Sequence, residues 1–375
     1  MIISIKNVFR TLVFMLAIAG VNNGFARSLS QQLAEDISDG ELDRFSLIEA
    51  AFIISGADNP SELERGMSWF RELLNDIESK NLIGFEKVAS AERLFLYFHT
   101  TWLKDYQEKS TTLLDIMDRR QFNCVSATVL YNLTCDELGL KTHAFETPTH
   151  VYTIFSNITE TVMVENTTSM GFNIMKNLKS YSQYLKRYYP EQLALKIGLD
   201  RLYYHENSQG REINNTELLG LICYNLSIFH FEKQRYESAY QYVELAQRFN
   251  QDSRSNRKFE MRLYYVWGKQ LFETRDYFGA FTVTADAYYR YPDNSDFKQN
   301  CRLAFKKALH GLWQNKDWQK SMQLMLEMDA LAIRSDEESA FQQQLLHNWI
   351  ALFKADNQRS SAREAMQLLK NFSDH

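Results

Sequence analysis

The chain is short of everything that breaks a helix. Four prolines and 14 glycines in 375 residues amount to about 1% and 4%, against usual frequencies of roughly 5% and 7%. Together with 45% apolar and 24% charged residues, that scarcity excludes collagen-like and disordered classes and argues against an all-β fold. Charge is nearly balanced, with 42 Lys and Arg against 47 Asp and Glu for a net −5, so no nucleic-acid partner is expected. Four cysteines are too few for a disulfide scaffold. Paired CxxC spacing, HExxH and a glycine-rich phosphate loop are all missing, so neither a metal nor another cofactor is expected. His143 and Glu146, three apart on a strand-like run, point to opposite faces and make a poor ligand pair.

Long apolar runs are missing as well. The longest, Leu12 to Val21, has ten residues, half of the ~20 that cross a bilayer. Lys6 and Arg10 precede it and Gly24-Phe25-Ala26 follows, the layout of a basic n-region, an apolar h-region and a small-x-small cleavage site. Residues 1–26 therefore read as a signal peptide, with cleavage before Arg27. The expected location is periplasmic or secreted, with no stable membrane insertion after signal cleavage.

What the chain does have is helical periodicity. At about 150 residues per domain, its length predicts two domains or slightly more. Leu47, Ala50, Ala51 and Ile54 recur at helical spacing, Asn59-Pro60-Ser61 stops that helix, and Ser61-x-x-Glu64 reads as a capping box for the next. Cys124 to Leu138 reads as a helix with Cys124, Ala127, Tyr131, Thr134 and Leu138 on one side, closed by Gly139. Three β-like runs follow, Thr142 to Phe145, His150 to Phe155 and Val162 to Thr167, with the polar 156–160 segment suited to a hairpin loop. Lys176, Lys179, Lys186 and Arg187 read as a solvated helix face.

From about Pro190 the chain is helical and repetitive. Gln234-Arg235-Tyr236-Glu237-Ser238-Ala239 recurs as Thr274-Arg275-Asp276-Tyr277-Phe278-Gly279-Ala280 and as Lys316-Asp317-Trp318-Gln319-Lys320-Ser321. The aromatic falls at 236, 277 and 318, and the small residue at 239, 280, 321 and then Ala362. A constant step of 41 is the mark of stacked helical hairpins. It exceeds the ~34 of tetratricopeptide repeats, so either the helices are longer or the loops are extended, as polar Gln251 to Arg257 suggests.

One constellation carries chemistry. Asn123-Cys124 opens a helix, Pro148-Thr149-His150 opens a strand, and Glu165 sits in the following strand. Cysteine is a strong nucleophile as thiolate, which a helix N-terminus and an adjacent imidazole favour. His150 would take the thiol proton and Glu165 would orient the imidazole. A hairpin pivot near Asn157–Ile158 sets His150 opposite Glu165, within hydrogen-bond reach. Asn123, or backbone N–H groups at the helix start, would supply the oxyanion donors.

Phe122-Asn123-Cys124, Pro148-Thr149-His150 and Glu165-Asn166-Thr167 resemble the Gly-Asn-Cys, Pro-x-His and Asp-x-Thr segments of the transglutaminase-like branch of the papain-like cysteine hydrolases. Phe122 replaces the glycine and Glu165 the commoner Asp, over a resemblance spanning roughly Tyr106 to Gly171. The stretch from Asp105-Tyr106 to Asp118-Arg119-Arg120 looks like the helical lead-in of bacterial relatives that lack the cysteine. The repeats are similar to tetratricopeptide repeats, with Leu226, Ser227, Ala239, Ala246, Trp267, Gly268, Ala280, Ala287 and Pro292 at packing positions. That resemblance implies a concave surface bearing Tyr224, Ile228, Tyr265 and Lys269, where a protein or peptide would bind.

The expected fold is α+β, mostly α. It comprises a helical lead-in plus the small antiparallel sheet of a transglutaminase-like domain over 27–190, a connecting helical segment over 191–215, then an α-solenoid of helical hairpins over 216–375. Two functions stay open: an exported cysteine-dependent acyl-transfer enzyme, or a non-catalytic envelope scaffold whose two parts only bind peptide or protein.

Overall fold

The computed structural model describes residues 27–156, 160–174, 201 and 207–373. The signal segment 1–26, the hairpin tip 157–159, the basic group at 176–187 and most of the 191–215 connection lie outside the described residues. Fourteen α-helices and six strands are present among those described. The chain divides into two compact units, Met1–Glu232 with Gln241–Ser253, and Lys233–Tyr240 with Arg254–His375.

The first unit opens with helices α1 (Leu29–Asp36), α2 (Leu47–Ile54), α3 (Pro60–Ser79) and α4 (Lys87–Thr101). Asn59, not Ser61, caps α3: its side chain accepts from the Ser61 and Glu62 N–H groups, and Pro60 takes the first helical position. Proline's missing N–H costs nothing there, so the helix starts two residues before the expected box. Strand β1 (Asp105–Tyr106), helix α5 (Leu113–Arg119) and strand β2 (Gln121–Phe122) follow. The expected helical lead-in is thus interrupted by a short parallel strand pair, β1 with β2, ending one residue before Asn123.

Helix α6 (Cys124–Glu137) is buried on every side from Val125 to Cys135, rather than along the single stripe expected. Strands β3 and β4 pack against it, as do α4, α5 and helix α7 (Asn215–Glu232). A helix enclosed this way has no polar face to spare. Gly139, at φ +67°, lets the chain leave it. Strands β3 (Thr142–Glu146), β4 (Val151–Ser156), β5 (Thr161–Val164) and β6 (Arg211–Ile213) form one antiparallel sheet in the order β5-β4-β3-β6.

Helix α7, expected to open the solenoid, buries Leu218, Leu219, Ile222 and Cys223 in the first unit's core, as do Ala246 and Phe249 of helix α8 (Tyr236–Phe249). The first unit thus takes in α7 and Gln241–Ser253, and the second takes Lys233–Tyr240 and everything from Arg254.

The second unit contains the hairpins α9 (Arg254–Glu273) and α10 (Tyr277–Arg290), α11 (Ser295–Gln314) and α12 (Trp318–Leu331), and α13 (Asp336–Ala355) and α14 (Arg359–Ser373). First helices start at 254, 295 and 336, and second helices at 236, 277, 318 and 359, each at the 41-residue step. The extra length lies in the helices: α9, α11 and α13 have 20 residues each. The Gln251 to Arg257 stretch is no extended loop, since α9 begins at Arg254. Ala239, Ala280, Ser321 and Ala362 are all buried, the close-packed small position of each hairpin. Gln234, Arg275, Lys316 and Asn357, again 41 apart, turn the chain with φ between +55° and +67°. Among the described residues, no helix is long and apolar enough to cross a membrane.

Candidate active site

Helix α6 presents Cys124 as its first residue because Asn123 stops the chain from being helical any earlier. The Asn123 side-chain oxygen accepts from the Val125 and Ser126 N–H groups at 3.0 and 3.1 Å, and its amide donates to the Glu108 carbonyl at 2.9 Å. The Ser126 hydroxyl closes the box by accepting from the Asn123 N–H at 3.0 Å and donating to the Ser110 carbonyl at 2.8 Å. Asn123 is therefore a buried cap, with one hydrogen of its amide used by the Glu108 carbonyl. The Ala127 N–H donates to the Asn123 carbonyl, so Cys124 carries the one first-turn N–H left over by the cap. That backbone group is the oxyanion donor the helix start can offer.

His150 is held at the mouth of β4 by a tight loop. Its N–H donates to the Thr147 hydroxyl at 3.0 Å, and the Thr147 N–H donates to the His150 carbonyl at 2.8 Å. Pro148 and Thr149 make the bend between them. The register of β4 on β5 is displaced from the expected one: Thr153 opposes Val164 and Phe155 opposes Val162, where a pivot at 157–158 pairs Thr153 with Val162. A shift of two residues keeps every side chain on its expected face. Glu165, one residue beyond β5, still reaches His150.

His150 Nε2 lies 2.7 Å from Glu165 Oε2, and both side chains are fully shielded from solvent. The other carboxylate oxygen accepts from the Thr167 N–H at 3.1 Å and the Thr167 hydroxyl at 2.6 Å. Gly171 folds over this loop; a Cβ there would stand 1.9 Å from the Glu165 carbonyl oxygen, so only glycine fits. Burial alone pushes the His150 imidazole down, but the Glu165 charge and a hydrogen bond with the Cys124 side chain outweigh it and hold the ring charged well above its ordinary value. His150 and Glu165 are thus brought into direct contact, and Cys124 acts on the same imidazole.

A buried polar network braces this convergence from behind. The Asn166 amide donates to the Thr153 hydroxyl at 2.8 Å and the Thr128 hydroxyl at 3.2 Å, and Thr153 donates to Asn132 at 2.6 Å. Residues from α6, β4 and the Glu165 loop are tied together in one step. Only their contacts reveal the bracing by Asn132 and Thr128.

His99, in the last turn of α4, is a neighbour that sequence reading missed. Its ring packs on Phe95 at 4.6 Å and edge-on to Phe122 at 6.4 Å. Burial pushes it down to about 4, with Glu165 acting in the opposite sense and Lys104 in the same sense. Phe122 is buried against His99 and Tyr106.

The other three cysteines are buried. Burial pushes the Cys135 and Cys223 thiols well up and the Cys301 thiol up to about 12. His143 pairs with Glu212 at 3.6 Å and Glu146 with Arg211 at 3.3 Å.

The four residues expected on one concave surface fall two to each unit. Tyr224 and Ile228 lie on α7 in the first unit, and Tyr224 packs against its core. Tyr265 stacks on Phe297 at 4.5 Å and donates to Asn294 and Asp296, so its ring and hydroxyl are used within the second unit. Lys269 is exposed and lies 3.7 Å from Glu273.

No family model matches the chain, and no curated protein matches it. A match among solved structures is the crystal structure of menin that reveals the binding site for Mixed Lineage Leukemia (MLL) protein, at 12% identity, covering 94% of this chain and 98% of that one, with a TM-score of 0.32. At that score the likeness carries no argument about this chain.

Proposed function

We propose that the first unit is a cysteine-dependent acyl-transfer enzyme of transglutaminase-like type, in which an amide is opened through a thioester at Cys124. The observation that carries the reading is the buried 2.7 Å His150–Glu165 pair, with Cys124 acting on the charge of the imidazole from the first position of a helix. The Cys124 sulfur attacks the acyl carbon, and the negative oxygen that forms is met by the Cys124 N–H. His150 passes its proton to the departing amine as the C–N bond breaks, leaving a thioester. Water or a second amine then attacks the thioester, His150 accepts its proton, and the sulfur leaves to restore the pair. Glu165 keeps the ring oriented and balances its charge throughout.

The tetratricopeptide-like hairpins of the second unit would bind the protein or peptide that brings the acyl group. Export to the periplasm or beyond rests on the basic, apolar and small-residue order of segment 1–26.

Selective labelling tests the reading. A thiol-directed acyl-type probe at neutral pH should modify Cys124 and spare Cys135, Cys223 and Cys301, with labelling abolished in Cys124→Ser. Equal or absent labelling of the folded protein would favour the non-catalytic binding scaffold instead.

A further inference from the structure

A second cavity of the first unit lies between α3 and α4, and none of the Cys124, His150 or Glu165 side chains lines it. Its volume is about 220 Å³, with Trp69, Glu72, Leu73 and Asp76 from α3, and Tyr97 and Trp102 opposite. The four α3 residues are spaced so that they share one helix face. Trp69 and Trp102 stand at right angles, with ring centroids 4.9 Å apart and planes at 86°. Tyr97 completes the aromatic wall, its hydroxyl donating to Asp76 at 2.8 Å and accepting from the Trp102 indole at 3.4 Å.

This composition selects for cations. Indole and phenol faces attract positive charge electrostatically, and two of the chain's own cations already lie over these rings. The Lys80 ammonium lies 6.0 Å from the Tyr97 ring centre and the Arg120 guanidinium 5.6 Å from that of Trp102. Lys80 also pairs with Asp76, whose carboxyl is held below its usual range by the Lys80 hydrogen bond and then the Tyr97 one. Glu72 is the exposed carboxylate at the rim, with no ion pair among the described residues.

We propose that this cavity binds an alkylammonium group, with Trp69, Tyr97 and Trp102 as its walls and Glu72 as its counter-charge. The volume falls below the ~300 Å³ at which small-molecule pockets begin and suits one cationic head rather than a whole cofactor. A lysine side chain and a quaternary amine share the chemistry. The site is independent of the acyl-transfer reading.

The test follows the indole N–H resonances of the full chain during titration with n-butylammonium, tetramethylammonium and uncharged tert-butanol. Saturable shifts at Trp69 and Trp102 with either cation, and not with tert-butanol, are expected. Stronger binding of n-butylammonium identifies the lysine-like source, and stronger binding of tetramethylammonium the quaternary one. Glu72→Gln should weaken binding about threefold, the scale of an exposed ion pair, and Glu72→Lys should abolish saturation. Equal shifts with tert-butanol, no saturable shift with either cation, or unchanged binding in Glu72→Lys would overturn the proposal.

Discussion

The imidazole of His150 and the carboxylate of Glu165 share a 2.7 Å hydrogen bond with no solvent access to either side chain. Fifteen residues of hairpin separate them, and neither lies within the strand ladder that joins them. Each is placed by a loop of its own: Thr147 locks the first, and Thr167 with Gly171 locks the second. That arrangement makes the charge on His150 a property of its partner.

Replacing the partner should therefore move the titration. In Glu165→Gln the His150 imidazole, observed by NMR, should lose its proton at lower pH than in the parent. Because its folded value is raised, the pair contributes stability that is full below about 6.5, the ordinary histidine value, and is lost as pH rises through the folded value. The parent should weaken over that alkaline-side window and Glu165→Gln should not. His150→Ala should also slow Cys124 alkylation about tenfold or more, because the proton acceptor is gone. An unaltered alkylation profile in His150→Ala would remove the basis of the catalytic reading.

His99 has the opposite sign. Its folded value is depressed to about 4 from 6.5, so between those limits the unfolded chain binds a proton that the native one refuses. Stability should be full above 6.5 and fall with pH down to about 4. With allowance for the ring's partial exposure, the loss amounts to about 1–3 kcal/mol. Urea unfolding at pH 7 and pH 4.5 should show a smaller difference for His99→Gln than for the parent. An equal difference would place the acid sensitivity elsewhere.

Fragments should follow the packing rather than the motif. A 27–253 fragment should unfold cooperatively in urea, because it keeps Leu218, Leu219, Ile222, Ala246 and Phe249 in the first core. A 27–190 fragment exposes the surface that those side chains cover, and should lack a cooperative transition. Cooperative unfolding of the shorter piece would show that α7 is not needed for the core.

The left-handed turns offer a gain. Arg275 adopts φ +67°, a conformation that strains any residue with a Cβ. Arg275→Gly should stabilise the second unit by about 0.5–1 kcal/mol, and Arg275→Val should destabilise it. Thermal denaturation of the two variants would show shifts of opposite sign. If both lower the midpoint, the Arg275 side chain contributes contacts that outweigh the strain.

Much of this was open to sequence reading because it is local. Cys124 at a helix start follows from Asn123, whose side chain can cap only what comes next. The hairpins follow from a step of 41 that repeats through Tyr236, Tyr277 and Trp318, since a residue's place in a helical turn depends on its near neighbours. The sequence left the source of the extra repeat length undecided between helix and loop. The hydrogen bonds closing 20-residue helices answered in favour of helix.

Other properties depend on contacts that no spacing encodes. Asn123 has the same chemistry whether it faces a substrate or the Glu108 carbonyl, and only the fold put Glu108 within reach. Tyr265 carries the same periodic signal as a surface residue, yet Phe297, more than 30 positions away, takes its ring. His99 gave no signal, because its neutrality comes mainly from burial, with Glu165 and Lys104 acting on what remains. The sequence by itself determined which residues could begin helices, turn and repeat, since those choices are made within a few peptide units. Tertiary structure alone decided which polar groups lost their water and which partner replaced it, because desolvation is set by whatever distant chain happens to cover the group.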